Sequence, residues 1–481
     1  MGMERADAQN GEEMKTRKGN KVYSLTSAQK LHYYSMKYCP KKQVLNIGSG
    51  LTIQVELAWD TLKESIQEAV MRCESLRVQF AEDKDGNVYQ YVDKNQEVMV
   101  EHFDFSHWKE EDAHDKMTEW TSTPFELYDT PMYKIVMIKM PEQFYGVYMK
   151  VNHLIMDAQS LIVFMKDVME IYSHKVYGDE VPAPKDMASY ITQLEKDLAY
   201  EAGNKSSAKD REFFESLITS SEPIFTDIHG KGKLLAERER TGNPKQRAVV
   251  NTSDNVDANL ANFELEEEPT ERLLKFCEEQ HVSLTCLLLM GLRTYLQKEN
   301  EEDDISVSTT IARRATLMEK RCGGTRIHSF PFRTIVSRED TFLEGIFKIR
   351  DMQNQYFRHA NYSPAEYYAF RKQHYGLENG QTYEAMALTY QPLAMRYEGP
   401  GLEKLDGIQF DTRRYSNSAC AHTLYLTVSH RPTGGLDFCF EHQTGVVTYE
   451  KLQEVYFYLC RILFYGIEDC NRTVGEVIDW S

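Results

Sequence analysis

Tyr148-Met149-Lys150-Val151-Asn152-His153-Leu154-Ile155-Met156-Asp157-Ala158-Gln159-Ser160 carries an apolar run into a histidine, with a carboxylate four positions later. The segments 133–140 (YKIVMIKM) and 144–151 (FYGVYMKV) are β-rich and apolar, and the polar break PEQ at 141–143 separates them. That pattern predicts a hairpin whose second strand delivers Asn152 and His153 at its end. From Ser160 onward, Leu161, Phe164, Met165, Val168, Met169 and Tyr172 recur at helical spacing, and Gly178 supplies the stop. His153 and Asp157 therefore fall on a strand–loop–helix junction, where a rigid scaffold presents a loop. A histidine so held, with a carboxylate nearby, suits a base in acyl transfer. The spacing alone is weak: with 14 His in 481 residues, roughly one His-x-x-x-Asp is expected by chance.

Similar patterns extend outward. Thr26-x-x-Gln29 reads as a capping box that opens a helix over 24–38. Residues 51–57 (LTIQVEL) alternate like a strand. Asp60 opens a helix with Leu62, Ile66, Ala69, Val70 and Cys73 on one face. LRVQF (76–80) and VYQYV (88–92) flank the turn signal EDKDG. A polar stretch, about 195–262, breaks the pattern and reads as a crossover between two parts. Its basic run, Lys231 to Arg247, lacks interleaved aromatics and reads as a solvated loop. Helices at 270–281 and 284–297 follow, then strand-like runs at 305–311 and 327–336. A hairpin comes next, with TLYLTVSHR and LDFCFEHQ around PTGG, and a final amphipathic helix spans about 449–465.

Bulk properties set limits. Hydrophobic residues make up 41% and aromatics 11% of the chain, enough for sizeable cores. A formal charge of −18 argues against a nucleic-acid surface. No apolar run approaches the roughly 18 residues of a membrane span. Residues 1–21 lack the apolar core of a signal peptide and read as a disordered leader; Ala6 weakens Gly2 as a myristoylation site. Nine scattered Cys without CxxC pairs fit buried thiols in a reducing cytoplasm. Cys277, His281 and Cys286 lack a fourth ligand and the usual spacing, so no metal is expected.

The motif resembles the HHxxxDG signature of the condensation domains of nonribosomal peptide synthetases, with Asn152 in place of the first His and Ala158 in place of Gly. Three further blocks carry the resemblance from about Tyr23 to Val477. Tyr23-Ser24-Leu25-Thr26-Ser27-Ala28-Gln29 looks like the LSxAQ start. Arg72 to Phe80 resembles RHExLRTxF, with Cys73 replacing His. Gly324 to Arg333 is similar to GxFVNTLPLR, with His328 where Asn is usual. The resemblance implies a mixed α/β fold of two chloramphenicol acetyltransferase-like halves, 22–185 and 186–481, forming a V-shaped pseudo-dimer around a central tunnel. It implies an acyl or aminoacyl thioester, carried on the phosphopantetheine of a carrier protein or on coenzyme A, joined to an amine or a hydroxyl. No permanently bound cofactor is implied, and a cytoplasmic monomer is expected.

Within that resemblance, His153 is the base or positioner of the attacking group. Asp157 is structural, pairing with an arginine, here Arg72 with Arg77 as the second choice. His328 would lie near the substrate tunnel. Asn152 can hydrogen-bond but cannot carry imidazole's charge. Ala158 would be strained if its position required positive φ. A CoA-dependent O- or N-acyltransferase, or a non-catalytic module that recruits partners to a carrier, are the alternatives. An epimerisation domain would need an EGHGR-like glutamate motif, which is not found.

Overall fold

The computed structural model describes residues 16–251, 255–392, 410–431 and 434–481. The motif hairpin forms where its two apolar runs and the polar break predict it: Tyr133–Lys139 pairs antiparallel with Tyr145–Asn152, Val136 facing Tyr148, across the turn Pro141–Gln143. Asn46–Ile53 adds to its other side, and Phe410–Tyr415, from late in the chain, pairs with that strand. Glu101–Asp104 closes the far edge in parallel, giving a five-stranded sheet. Because side chains alternate along each strand, Val147, Met149 and Val151 enter one core. They pack with Leu62, Ile66 and Val70 of the helix Trp59–Arg72 and with Phe164 and Val168 of the helix Ala158–Tyr177. Val136, Ile138 and Tyr148 face the other way, against Ala113 and Met117 of the helix Glu110–Ser122.

The strand expected at 51–57 begins earlier, at Asn46. Its first half, Asn-Ile-Gly-Ser-Gly, reads like a loop. Yet a Cβ at Gly48 would stand 2.1 Å from Thr121 Oγ1, so glycine is what lets the Glu110–Ser122 helix lie this close. The leader also differs from expectation. Residues 1–15, with Gly2, lie outside the described residues, but Thr16–Arg17 pairs with Asn20–Ser24 through Lys18 (φ 47°) and Gly19 (φ 75°). Two left-handed residues make the tight turn that matches strand twist. This hairpin extends the small sheet that continues through Val88–Val92 to Val78–Glu82.

A six-stranded sheet holds the second core. Its order is Ala258–Leu265, Leu436–Gln443, Leu424–His430, Met386–Gln391, Asp304–Ala312 and Ile327–Ile335. The Met386 strand runs parallel to both neighbours and the rest are antiparallel. The helix Leu284–Asn300 is buried on nearly every side, between the sheet and the helices Phe342–Arg358 and Tyr449–Glu468. The hairpin expected around PTGG forms; Pro432 and Thr433 of its turn lie outside the described residues.

The polar stretch 195–262 is not an open crossover. It holds the helices Lys205–Ser220 and Gly232–Thr241 and most of Tyr190–Glu201. Ser189 and Asn204 cap two of them, satisfying the first backbone N–H groups. The basic run is largely helical, and three of its cations are paired: Lys231 with Glu301, Arg240 with Glu237, Arg247 with Asp304. The first core extends beyond the expected boundary at 185, taking in Tyr190, Leu194 and Cys322. Among the described residues, no helix is long and apolar enough to cross a membrane.

Candidate active site

His153 occupies the turn directly after the strand Tyr145–Asn152. Its backbone N–H donates to Leu45 O at 2.8 Å, fixing the turn to the neighbouring strand. Asn152 is buried and works for the loop. Its Oδ1 accepts from the Leu154 N–H at 3.0 Å, and its N–H donates to Met132 O at 3.0 Å. The position where the resemblance expects an imidazole thus holds a backbone brace.

Asp157 caps the helix Ala158–Tyr177. Its Oδ1 accepts from Ser160 N–H and Ser160 Oγ, both at 2.8 Å. Arg314 Nη2 donates to both carboxylate oxygens at 2.9 Å, and the Arg326 N–H donates to Oδ2 at 3.0 Å. Burial pushes the carboxyl up, but the Arg314 charge and the Ser160 donors outweigh it and hold Asp157 below its usual range. Arg314 follows the strand Asp304–Ala312, so the clasp joins the motif loop to the six-stranded sheet. Its Nη1 donates to Cys322 O at 2.6 Å, and Gly324 O accepts from Ser160 Oγ at 2.6 Å and from Arg314 Nη2 at 2.9 Å. Gly324 has φ +101°, and a Cβ there would lie 2.6 Å from the Tyr190 ring.

The partner expected for Asp157 is therefore corrected from Arg72 to Arg314. Arg72 ends the helix Trp59–Arg72 and forks onto Asp167 at 3.0 and 3.1 Å. Asp167 lies ten residues along the motif helix, roughly 15 Å from Asp157 at 1.5 Å per residue. Arg77 donates instead to Asp93 O and Met71 O. Ala158 is the first residue of its helix and does not have positive φ, so alanine is unstrained there.

His328 is fully buried and both its nitrogens are engaged. Nδ1 lies 2.9 Å from Ala360 O, and Nε2 lies 2.9 Å from Ser27 Oγ. A carbonyl only accepts, so Nδ1 carries the proton and Ser27 donates to Nε2. Burial, then the Arg313 charge, pushes this imidazole well below its ordinary value. Its geometry is that of a bridge between the helix Ser27–Tyr38 and Ala360, with no nitrogen left for a ligand. Cys277 and Cys286 pack in the second core while His281 is exposed on the turn between their helices. Among the described residues, no group of three His, Cys, Asp or Glu is placed to hold a metal.

His153 contrasts with its neighbours. Among the described residues its side chain makes no hydrogen bond, and Nδ1 is buried without a partner. Burial lowers its pKa below 6.5, partly offset by the Asp157 charge, so the ring is a free base at neutral pH. Among the described residues its one ring neighbour is His32, stacked with centroids 4.4 Å apart and planes 24° from parallel. His32, Ser160, Arg314 and Arg326 are the site residues that the motif reading did not single out. Only Ser160 had a local signal, as the third residue after a capping Asp.

The condensation domain family model matches residues 19–478. The chain belongs to that family. It is similar to a plipastatin synthase of Bacillus subtilis (strain 168), 22% identical over 459 residues, covering 95% of this chain and 17% of the relative. It is also similar to surfactin synthase subunit 1 of the same organism, 22% identical over 466 residues, covering 95% of this chain and 12% of that one. The chain thus spans less than a fifth of the length of these curated relatives. Among solved structures, the first condensation domain of the calcium-dependent antibiotic synthetase, in complex with a substrate analogue, matches at TM-score 0.76 and 19% identity, covering 95% of this chain and 98% of that one. The starter condensation domain of rhizomide synthetase, solved with C8-CoA, matches at TM-score 0.77 and 17% identity, covering 94% and 96%. The mixed α/β fold expected from the sequence is the fold of these domains.

Proposed function

We propose that this protein is a condensation-type acyltransferase that joins an acyl or aminoacyl thioester to an amine or a hydroxyl. The observation that supports this reading most is His153, an unengaged free-base imidazole on a loop that Arg314 clamps to the second sheet. The nucleophile's lone pair attacks the thioester carbonyl while its proton passes to His153. The tetrahedral intermediate then collapses, forming the amide or ester bond and breaking the C–S bond, and the proton leaves with the thiol. Such proton transfer is worth typically 10²–10⁴-fold in rate. The two cores are read as the two halves of the fold, with the first reaching past residue 185 to Tyr190, Leu194 and Cys322. In this reading donor and acceptor reach His153 from opposite ends of a tunnel between them, and the donor rides on a carrier phosphopantetheine or on CoA.

The test is incubation with carrier-bound and CoA thioesters plus mixed amines and alcohols, followed by mass spectrometry. Amide or ester product is expected, and His153→Ala should lose at least about 10²-fold of the rate while remaining folded. The acid limb of kcat/KM is expected below pH 6.5, because burial lowers the pKa of this imidazole. Product formation unchanged in His153→Ala would overturn the reading. Carrier binding without turnover on any thioester would replace it with a recruitment module.

A further inference from the structure

The second imidazole expected beside His153 is present in space, but it comes from elsewhere in the chain. Where relatives of this motif carry His-His, Asn152 braces the loop, and the ring next to His153 is that of His32. Its helix, Ser27–Tyr38, opens on the Thr26–Gln29 capping box and is fixed by two anchors: Gln29 Nε2 donates to Leu154 O at 3.3 Å in the motif loop, and Ser27 Oγ is 2.9 Å from His328 Nε2. The helix is thus tied to the very turn that holds His153, and His32 follows Gln29 by three residues, on the same side of the helix.

Among the described residues, His32 Nε2 is buried without a partner. An unpaired buried nitrogen is destabilising, a penalty that a leucine or phenylalanine filling the same space would avoid. Packing alone therefore does not account for an imidazole here. Metal-bound and catalytic histidines are usually oriented by a hydrogen bond at the second ring nitrogen. His153 lacks that bond, so the stacked face of His32 is the contact that restrains rotation of its ring.

We propose that His32 is a positioning residue for His153, holding the reactive imidazole face to face so that its open nitrogen points at the nucleophile. This deepens the acyl-transfer reading and rests on it. The charged groups around the pair are Asp157, neutralised by Arg314, and, beyond His328, Arg313 and Arg326. His32 also covers the His153 ring, adding to the burial that keeps His153 a free base.

The experiment compares the wild type with His32→Phe, which keeps a flat ring, and His32→Ala, which removes it. In the first arm, ¹⁵N-imidazole spectra of the full chain follow the titration of His153, assigned with His153→Ala, and no substrate is needed. His32→Ala should raise the His153 midpoint toward 6.5 and broaden its ring signals, while His32→Phe should keep them sharp. In the second arm, with the thioesters described above, His32→Ala should lower kcat by about 10- to 100-fold with KM within twofold, as a misplaced group does. His32→Phe should recover most of that loss. If His32→Ala is too unstable to measure, His32→Leu, which fills the space without a flat ring, takes its place. An unchanged His153 titration in the ring-less variant, or a folded His32→Phe no better than it, would overturn the proposal. If no thioester is turned over, the spectra still decide the positioning role, so the two failures are distinct.

Discussion

His153 and Asp157 are four residues apart on one loop, and their surroundings are opposites. The carboxylate accepts from two groups of Ser160, from Arg314 on both oxygens and from the Arg326 N–H. The imidazole makes no side-chain hydrogen bond among the described residues and touches one stacked ring. A buried charge is tolerable only when paired and hydrogen-bonded, so the loop directs its donors to Asp157. A base must keep a free lone pair, and the unbonded His153 meets that condition. Within one turn of chain, saturation marks the group that holds the architecture and vacancy marks the group proposed to react.

The largest test of that contrast is Asp157→Ala. It leaves Arg314, 6% exposed, as an unpaired buried cation, and should cost about 3–5 kcal/mol of stability. Arg314→Ala should cost a similar amount, and the double variant should be no worse than either, because the two belong to one interaction. Denaturant titration measures all three. Normal stability with lost turnover in Asp157→Ala would make the carboxylate chemical and end the comparison. The pH dependence follows the same logic. Asp157 has a folded-state pKa below its ordinary 3.8, so its stabilisation is fully present above about pH 4. It is lost as pH falls through the lowered folded value. The gap in Tm between the wild type and Asp157→Asn should be constant from pH 7 to 5 and close in acid.

How much of this could be read from the sequence divides along the same line. Periodic elements were legible because their pattern is local. The 133–151 hairpin is two apolar runs around a polar break, the motif helix repeats every three or four residues, and Thr26 and Gln29 make their box. The helix Lys205–Ser220 was hidden because its first half is polar and its apolar residues, Phe213, Phe214, Leu217 and Ile218, are confined to the second half. The start of the strand at Asn46 was masked by Gly48 and Gly50. At the site, His153 and Asp157 could be named from the motif, but Arg314 could not, because 157 positions separate it from Asp157. Arg72 was the expected partner because it opens the RHExLR-like segment, and in the fold it forks onto Asp167 instead. His32 sits in an aromatic run, Leu31-His32-Tyr33-Tyr34, that reads simply as helix packing. Only the crossing of that helix over the motif loop brings it against His153.

A smaller effect is expected at Gly324, which belongs to the saturated side of the comparison. Gly324→Ala places a Cβ in a backbone of φ +101° and 2.6 Å from the Tyr190 ring. Strain of this kind costs about 1–3 kcal/mol, less than an orphaned charge. Because Gly324 O accepts from both Ser160 and Arg314, the loop should loosen as well as weaken. Turnover should fall together with thermal stability, and both should be measured on the same preparation. A stable variant with normal turnover would show that the clasp does not depend on this approach.

The smallest effect is expected where the motif departs from HHxxxDG at Ala158. Restoring the glycine would matter only if the position needed a conformation that alanine resists. Ala158 instead opens the helix Ala158–Tyr177 with ordinary backbone geometry, one residue after the Asp157 cap. Ala158→Gly should therefore lower stability by no more than about 1 kcal/mol, the helix-propensity difference, with turnover within about twofold of the wild type. A gain of tenfold or more would mean that the loop must flex around His153 during the reaction. In that case the saturated side of the loop would be part of the chemistry, and the division between a fixed carboxylate and a free imidazole would no longer hold.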